Sequence, residues 1–506
     1  MNKFFLSKKF AVTMAFVLLA ALAIFILSAC NTDTMLIRAA KDATNYSITA
    51  IYNDDTKMLY ASQTVDYRNS SGQTINSLYF HLHPNAYRED AVHRPVNELQ
   101  KERAYPNGFS EGTIIVKDTK INGKTANSVV GGKDKNLLIV TLPAPLYENS
   151  RISVAFDFDL KIPNMLHRLG YTENSINLGN FYPIVSASEN GIFNTEVYSS
   201  NGDPFFSEIA NYNVSITAPS NFIVASTGNL VKTEATDLNK TTHVYKAQAV
   251  RDFAISMSPK FEVIEGKVEN TSIKYFYYKD EHSQISLQTA LDAVRTFNKI
   301  IGTYPYQTLS VVETGFLHGG MEYPNIVYIS DAIASDTEYR NVIIHEIAHQ
   351  WWYGIVGTNQ NRDAWIDEGL AEFSTAVFYE QNPSYGIEKK EPVRDALRSY
   401  LLFVEVYGDV FDKLDTSMTR LLTAYGTEPE YVYMAYVKSL LMYDSLRELI
   451  GDKKFFNGLQ TFYKLNAMGI ATRESIVLAF EKESNIPLKN FFDSWLDGKI
   501  VIQNNN

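Results

Sequence analysis

Cysteine is nearly absent from this chain, one residue in 506. That excludes a disulfide framework, a cysteine-based zinc ribbon and a dithiol redox motif, so a metal site must be built from His, Asp or Glu. Positive charge is also in deficit: 46 Lys and Arg stand against 57 Asp and Glu, a formal net charge of −11. No basic stripe runs along the chain, which argues against a phosphate backbone as partner, and no nucleic acid is expected as a ligand. Internal repeats are missing, and so are low-complexity stretches other than Gln503-Asn504-Asn505-Asn506. Beyond the first 27 residues no apolar run approaches a transmembrane length. What remains is an ordinary globular composition, 45% hydrophobic and 20% charged. A chain of this length has room for roughly two to four domains.

The N-terminus is the exception. Lys3, Lys8 and Lys9 precede an uncharged, mostly apolar stretch from Phe10 to Leu27, and Leu27-Ser28-Ala29-Cys30 follows at once. This arrangement resembles a bacterial lipoprotein signal, in which a lipidated cysteine becomes the mature N-terminus. It implies a signal peptide over 1–29, lipidation at Cys30, a tether over 30–43, and a protein anchored to the membrane in the cell envelope, facing outside the cytoplasm. Two or more acyl chains would hold it there stably. A plain signal anchor is the alternative.

Period-two alternation dominates the next 200 or so residues. Ile152, Val154, Phe156, Phe158 and Leu160 alternate with Arg151, Ser153, Ala155, Asp157 and Asp159, a strand with one buried face. Leu78, Phe80 and Leu82 alternate likewise, as do Tyr212, Val214 and Ile216, and Asn122-Gly123 is a hairpin-turn signal. Residues 44–258 read as an antiparallel β sandwich or saddle. Then the period changes. Leu287, Leu291, Val294, Phe297 and Ile301 recur at helical spacing, Leu309 to Val312 is a short β run, and from about Thr337 the pattern is helical. Val437 to Ile450, Lys453 to Tyr463 and Arg473 to Glu483 are the clearest helices, with Thr472 placed to cap the last. The fold class expected is multidomain, β followed by α+β, with a second, mostly helical domain over 259–506.

The chemistry centres on His345-Glu346-Ile347-Ala348-His349. On a helix the two histidines, at i and i+4, face one way and can share a metal, and Glu346 can reach a metal-bound water without being a ligand. A candidate third ligand, Glu368, lies in Asp367-Glu368-Gly369-Leu370-Ala371-Glu372. Glu372, one turn further, either accepts the free N–H of a ligand histidine or is simply solvated.

His-Glu-x-x-His, 18 residues and then Glu368 resembles the gluzincin signature of aminopeptidase N and its relatives. His349-Gln350-Trp351-Trp352 and Trp365-Ile366-Asp367-Glu368-Gly369 resemble the flanking runs of that family, with Asp367 in place of Asn. Gly319-Gly320-Met321-Glu322-Tyr323 resembles its Gly-x-Met-Glu-Asn exopeptidase motif, with Tyr323 in place of Asn. The resemblance implies a thermolysin-like catalytic domain and one zinc per chain, held by His345, His349 and Glu368. It implies Glu346 as general base, and Glu322 with Gly320 and Met321 as the binding place of a substrate N-terminus. The family's oxyanion-stabilising tyrosine precedes a Leu-(Leu/Ile)-Gly turn by 15 residues; counting back from Leu449-Ile450-Gly451 gives Tyr436, in Tyr436-Val437-Lys438-Ser439, with Tyr433 as runner-up. The amine-anchoring residue of the family's β domain has no clear counterpart: Asn180-Phe181-Tyr182-Pro183 lies in the right region but lacks the glutamine. Only 70 residues follow Tyr436, so the large C-terminal helical domain of many relatives is not expected. The implied activity is removal of N-terminal residues from peptides. Two rivals are a zinc endopeptidase with weak amine recognition and a non-catalytic, lipid-anchored peptide-binding protein.

Overall fold

The computed structural model describes residues 35–189, 191–236, 239–411, 414–500 and 502. Cys30 and the whole apolar segment before it lie outside the described residues. Within the expected tether, residues 35–42 are helical. Leu36 packs on the core, and the Ala40 carbonyl accepts a hydrogen bond from Asn211 Nδ2. Among the described residues no helix is long and apolar enough to cross a membrane.

Alternation of buried and exposed side chains builds the first part. An eight-stranded sheet runs in the order 229–236, 240–250, 210–219, 44–53, 58–68, 151–161, 113–121, 124–125. In Arg151–Lys161 the apolar partners of the alternation are all buried, and Asn122 and Gly123 turn the chain with φ of 49° and 78°. The pairing is antiparallel except at one place, where Thr44–Asn53 runs parallel to Ala210–Pro219. Alternation specifies which face is buried but not strand direction, which is how a parallel pair escaped notice. Two four-stranded sheets and a two-stranded one, 188–189 with 192–193, complete this part. Phe80 of one of them meets Phe156 of the large sheet edge to face, 5.3 Å between centroids, so facing sheets share one core. Leu82, expected to continue its strand, is buried just beyond it; the strand is Ile75–His81.

A five-stranded mixed sheet opens the second part, in the order 262–268, 271–277, 308–314, 326–330, 320–321. Helices follow: α1 (Ser283–Ile300), α2 (Asp336–Ala348), α3 (Gln360–Gln381), α4 (Glu391–Phe411), α5 (Lys438–Ile450), α6 (Asp452–Asn466), α7 (Arg473–Ser484) and α8 (Lys489–Leu496). Ser335 caps α2 by accepting from the Glu338 N–H, and Thr472 caps α7 in a capping box with Ser475. The two parts are tied behind α2. Arg251, fully buried, donates to the carbonyls of Tyr353, Ile355 and Gly469. Tyr353 there has φ 110°, a strained value for a bulky residue, held by the Arg251 bond and its own N–H to Val356 O.

Candidate metal centre and active site

Helix α2 brings His345 and His349 to one face, and α3 crosses it with Glu368. His345 Nε2 and His349 Nε2 are 3.0 Å apart, and Glu368 Oε2 lies 3.4 and 3.1 Å from them. All three residues are buried. The second nitrogen of His349 is fixed from behind, Nδ1 lying 2.9 Å from the Trp352 carbonyl, whereas His345 Nδ1 has only Glu372 Oε1 near it, at 3.3 Å and without hydrogen-bond geometry. With Nδ1–H of His349 donating to a carbonyl, its Nε2 lone pair points at the other two donors. Three electron-rich atoms facing one another call for a cation. Tetrahedral zinc with bonds of about 2.0–2.1 Å spaces its ligands roughly 3.3 Å apart, the spacing seen. Two imidazoles and one carboxylate are also the donor set zinc takes. Without a metal, protons serve: burial opposes charge on His349, but Glu368 outweighs it and raises its pKa to about 10. Burial likewise opposes charge on Glu368, yet the histidines pull it down to about 2.

The surrounding motif residues have structural reasons. Asp367 accepts from Thr358 Oγ1 and from the Glu368 N–H, fixing the start of the ligand-bearing turn. Trp352 Nε1 donates to Ser374 on α3, and Gln350 bonds the Tyr323 carbonyl and the Asn325 N–H. Two glycines permit close approach. A Cβ on Gly369 would lie 2.4 Å from Ser439 Cβ, where α3 meets α5, and one on Gly320 would lie 2.4 Å from Glu346 Oε1. Glu346 thus sits against the Gly320 backbone, and burial pushes its carboxyl up to about 7.

Tyr436 lies in a π-helical turn, Tyr433–Val437, that leads into α5; such turns often mark functional sites. Its ring stacks 5.9 Å from that of His345. Tyr433 turns away and stacks on Phe403 of α4 at 4.1 Å, so the two candidate tyrosines are separated by placement. Lys438 is not at the site: it is buried and donates to the Thr416 and Trp495 carbonyls.

Glu322 is buried and accepts from Gln360 Nε2 at 2.9 Å. Gly320–Met321 forms the edge strand of the five-stranded sheet, paired on one side with Ile329 and Tyr328. An edge strand leaves one row of backbone groups for another chain. Sequence reasoning missed Asp203, from the β part. One oxygen each of Asp203, Glu322 and Glu368 lies within 4.8 Å of the others. Arg168 holds Asp203 Oδ1 at 2.6 Å. The segment Asn180-Phe181-Tyr182-Pro183 is engaged elsewhere: Asn180 and Tyr182 bond Asp252, and Tyr323 OH bonds Asn180. Gly202-Asp203-Pro204 reads as a plain turn, so nothing in its spacing announces the site. The groups converge on a cavity of about 260 Å³ lined by, among others, Arg168, Asp203, Gly320, His345, Glu346 and Tyr436. A larger cavity of about 640 Å³, between the large sheet and residues 305–308, holds none of this ionisable cluster.

Residues 286–495 match the peptidase family M1 domain. Among curated proteins, aminopeptidase O of Mus musculus is 24% identical over 40% of this chain and 28% of its own length. Glutamyl aminopeptidase of Bos taurus is 30% identical over 34% of this chain and 18% of its own. The chain therefore spans about a third or less of the length of the curated relatives it matches. An M1 zinc metallopeptidase of Deinococcus radiodurans shares the fold over 91% of this chain and 95% of its own, with TM-score 0.65 and 14% identity. A mutant of it bound to a Tyr-Ser-Ala substrate gives TM-score 0.61 at 14% identity, again over 91% of this chain and 95% of its own.

Proposed function

The chain belongs to the aminopeptidase N-like gluzincins, and from that premise we propose that it is a zinc aminopeptidase, removing residues one at a time from the free N-termini of peptides. The observation that carries the proposal is one cavity lined by His345 of the metal-binding triad together with Glu346, Tyr436 and Asp203, with an oxygen of Glu322 within 4.8 Å of one each from Asp203 and Glu368. His345, His349 and Glu368 would hold the zinc, whose chemistry when bound is to polarise a carbonyl and acidify a water. Glu346 takes the proton from the attacking water and returns it to the leaving amine. The Tyr436 hydroxyl donates to the developing oxyanion. Glu322 and Asp203 pair with the α-ammonium, and the Gly320–Met321 edge aligns the substrate backbone, so the scissile bond is placed one residue in. Glu372 orients the His345 ring. The lipoprotein-like segment ending in Cys30 supports an envelope location, anchored by lipid; fatty-acid labelling of the wild type and its loss in Cys30→Ala is the result expected.

The amine anchor supplies the test of exopeptidase action. A charge-assisted hydrogen bond is worth roughly 1.5–3 kcal/mol, and acetylation removes it while stranding a buried acid. Free peptides should be preferred over N-acetylated ones by at least about tenfold in kcat/KM. Glu322→Ala should erase most of that preference with zinc content unchanged. Equal cutting of free and blocked peptides, or first cuts at internal bonds, would replace the proposal by an endopeptidase.

Tyr436→Phe keeps the ring against His345 and removes one donor. Turnover should fall by roughly 10²–10³ with zinc retained. Near-wild-type turnover in Tyr436→Phe together with a dead Tyr433→Phe would reverse the assignment.

A further inference from the structure

Four carboxylates line the catalytic cavity: Asp203, Glu346, Glu372 and Glu428. Three have an account. Asp203 is paired with the Arg168 guanidinium, Glu372 faces His345, and Glu346 adjoins the metal triad. Glu428 has none in the reaction. It opens the short helix Glu428–Val432, eight residues before Tyr436.

Its position is nonetheless built. Glu428 Oε2 accepts from Gln100 Nε2 at 2.5 Å and from Asn97 Nδ2 at 3.3 Å, both from the β part. Its other oxygen lies 3.6 Å from His318 Nδ1. The two amides are neutral. Burial lowers the pKa of His318, outweighing the pull of Glu428, and Arg168 and Arg103 push it lower still. At neutral pH the histidine is uncharged. The neighbouring Glu430 is taken by Arg420. Among the described residues, Glu428 is thus held in place by neutral donors and pairs with no Lys or Arg within 4 Å, with its side chain 28% exposed. Apolar and aromatic residues, Pro95, Phe316, Tyr431 and Val432, line the same cavity, together with polar ones such as Ser200 and Asn341. A carboxylate at the edge of an apolar surface suits a side chain with a long aliphatic stem and a cationic head.

We propose that Glu428 reads the side chain of the substrate's first residue and selects arginine or lysine. The inference rests on the aminopeptidase reading and adds to it a substrate class.

The experiment compares zinc-loaded protein on free-amine aminoacyl coumarylamides of Arg, Lys, Leu and Ala. Arg and Lys should exceed Leu in kcat/KM by about tenfold or more, and Glu428→Gln should lower the Arg-to-Leu ratio by a similar factor. Gln preserves the volume and one acceptor oxygen for Gln100 and Asn97, and an unchanged melting temperature shows that the variant is folded. Added salt should weaken the wild-type preference more than that of the variant. A wild type that favours Leu or Ala, or a ratio that Glu428→Gln leaves as it was, overturns the assignment of Glu428 and leaves the aminopeptidase standing. Failure to cut any of the four substrates overturns both.

Discussion

Glu346→Gln is expected to lower turnover by roughly 10²–10⁴ while zinc content stays at the wild-type value. The side chain is buried against the Gly320 backbone and next to His345 on α2, so an isosteric amide fits where the carboxylate was. What is lost is the proton acceptor, not packing or a ligand. Burial pushes the Glu346 carboxyl up to about 7, and the nearby histidines pull the other way. A bound dication would pull it down further, leaving the carboxylate ionised at neutral pH. A base of this kind works only when deprotonated, so wild-type kcat/KM should rise with pH through its pKa. That acidic limb should vanish from the residual activity of the variant. Stopped assays on a free-amine peptide, with zinc measured on the same samples, read both quantities. Wild-type turnover in zinc-replete Glu346→Gln would remove the residue from the reaction; loss of zinc along with activity would make it a structural support of the metal instead.

Spacing made much of this site legible. An i, i+4 histidine pair can only share a helix face, and the distance to Glu368 is short enough for α3 to return across α2. The fifteen-residue count back from Gly451 chose Tyr436 over Tyr433, and the structure turns the latter toward Phe403. Alternation located strands such as Arg151–Lys161 because one face is buried and the other is not. It said nothing about direction or about what faces what across domains. Asp203 and Glu428 were missed for that reason. Each belongs to a segment with no periodic signal, and each owes its place to a packing partner more than thirty residues away, Arg168 for one and Gln100 for the other. Residues 35–42, within the stretch expected to be a tether, are helical; eight residues are too few for a hydrophobic period to declare itself, and the Ala40 carbonyl is bonded by Asn211 of the sheet.

Loss of one metal ligand should have the largest consequence of all: Glu368→Gln should carry well under one zinc per chain and show background activity. Three donors spaced 3.0 to 3.4 Å apart form a closed set, and among the described residues the other metal-sized cluster, Asp203 with Glu322, uses the same Glu368. No replacement carboxylate stands ready within that triad. The amide has a neutral oxygen in place of an anionic one, so it weakens the metal and also leaves two buried histidines without their counter-charge. That second effect can be read with no metal present. In the metal-free wild type the pKa of Glu368 is depressed to about 2, below its ordinary value. A depressed carboxylate stabilises the fold above its unfolded pKa, and that contribution is lost as pH falls through the folded value. Metal-free Glu368→Gln should therefore melt below metal-free wild type at neutral pH, and the gap should close on acidification from about pH 4.5 toward pH 2. Added zinc should raise the melting temperature of the wild type, because it binds the folded state, and should barely move that of the variant. If zinc stabilised both proteins equally, Glu368 would not be a ligand, whatever the assay of activity showed.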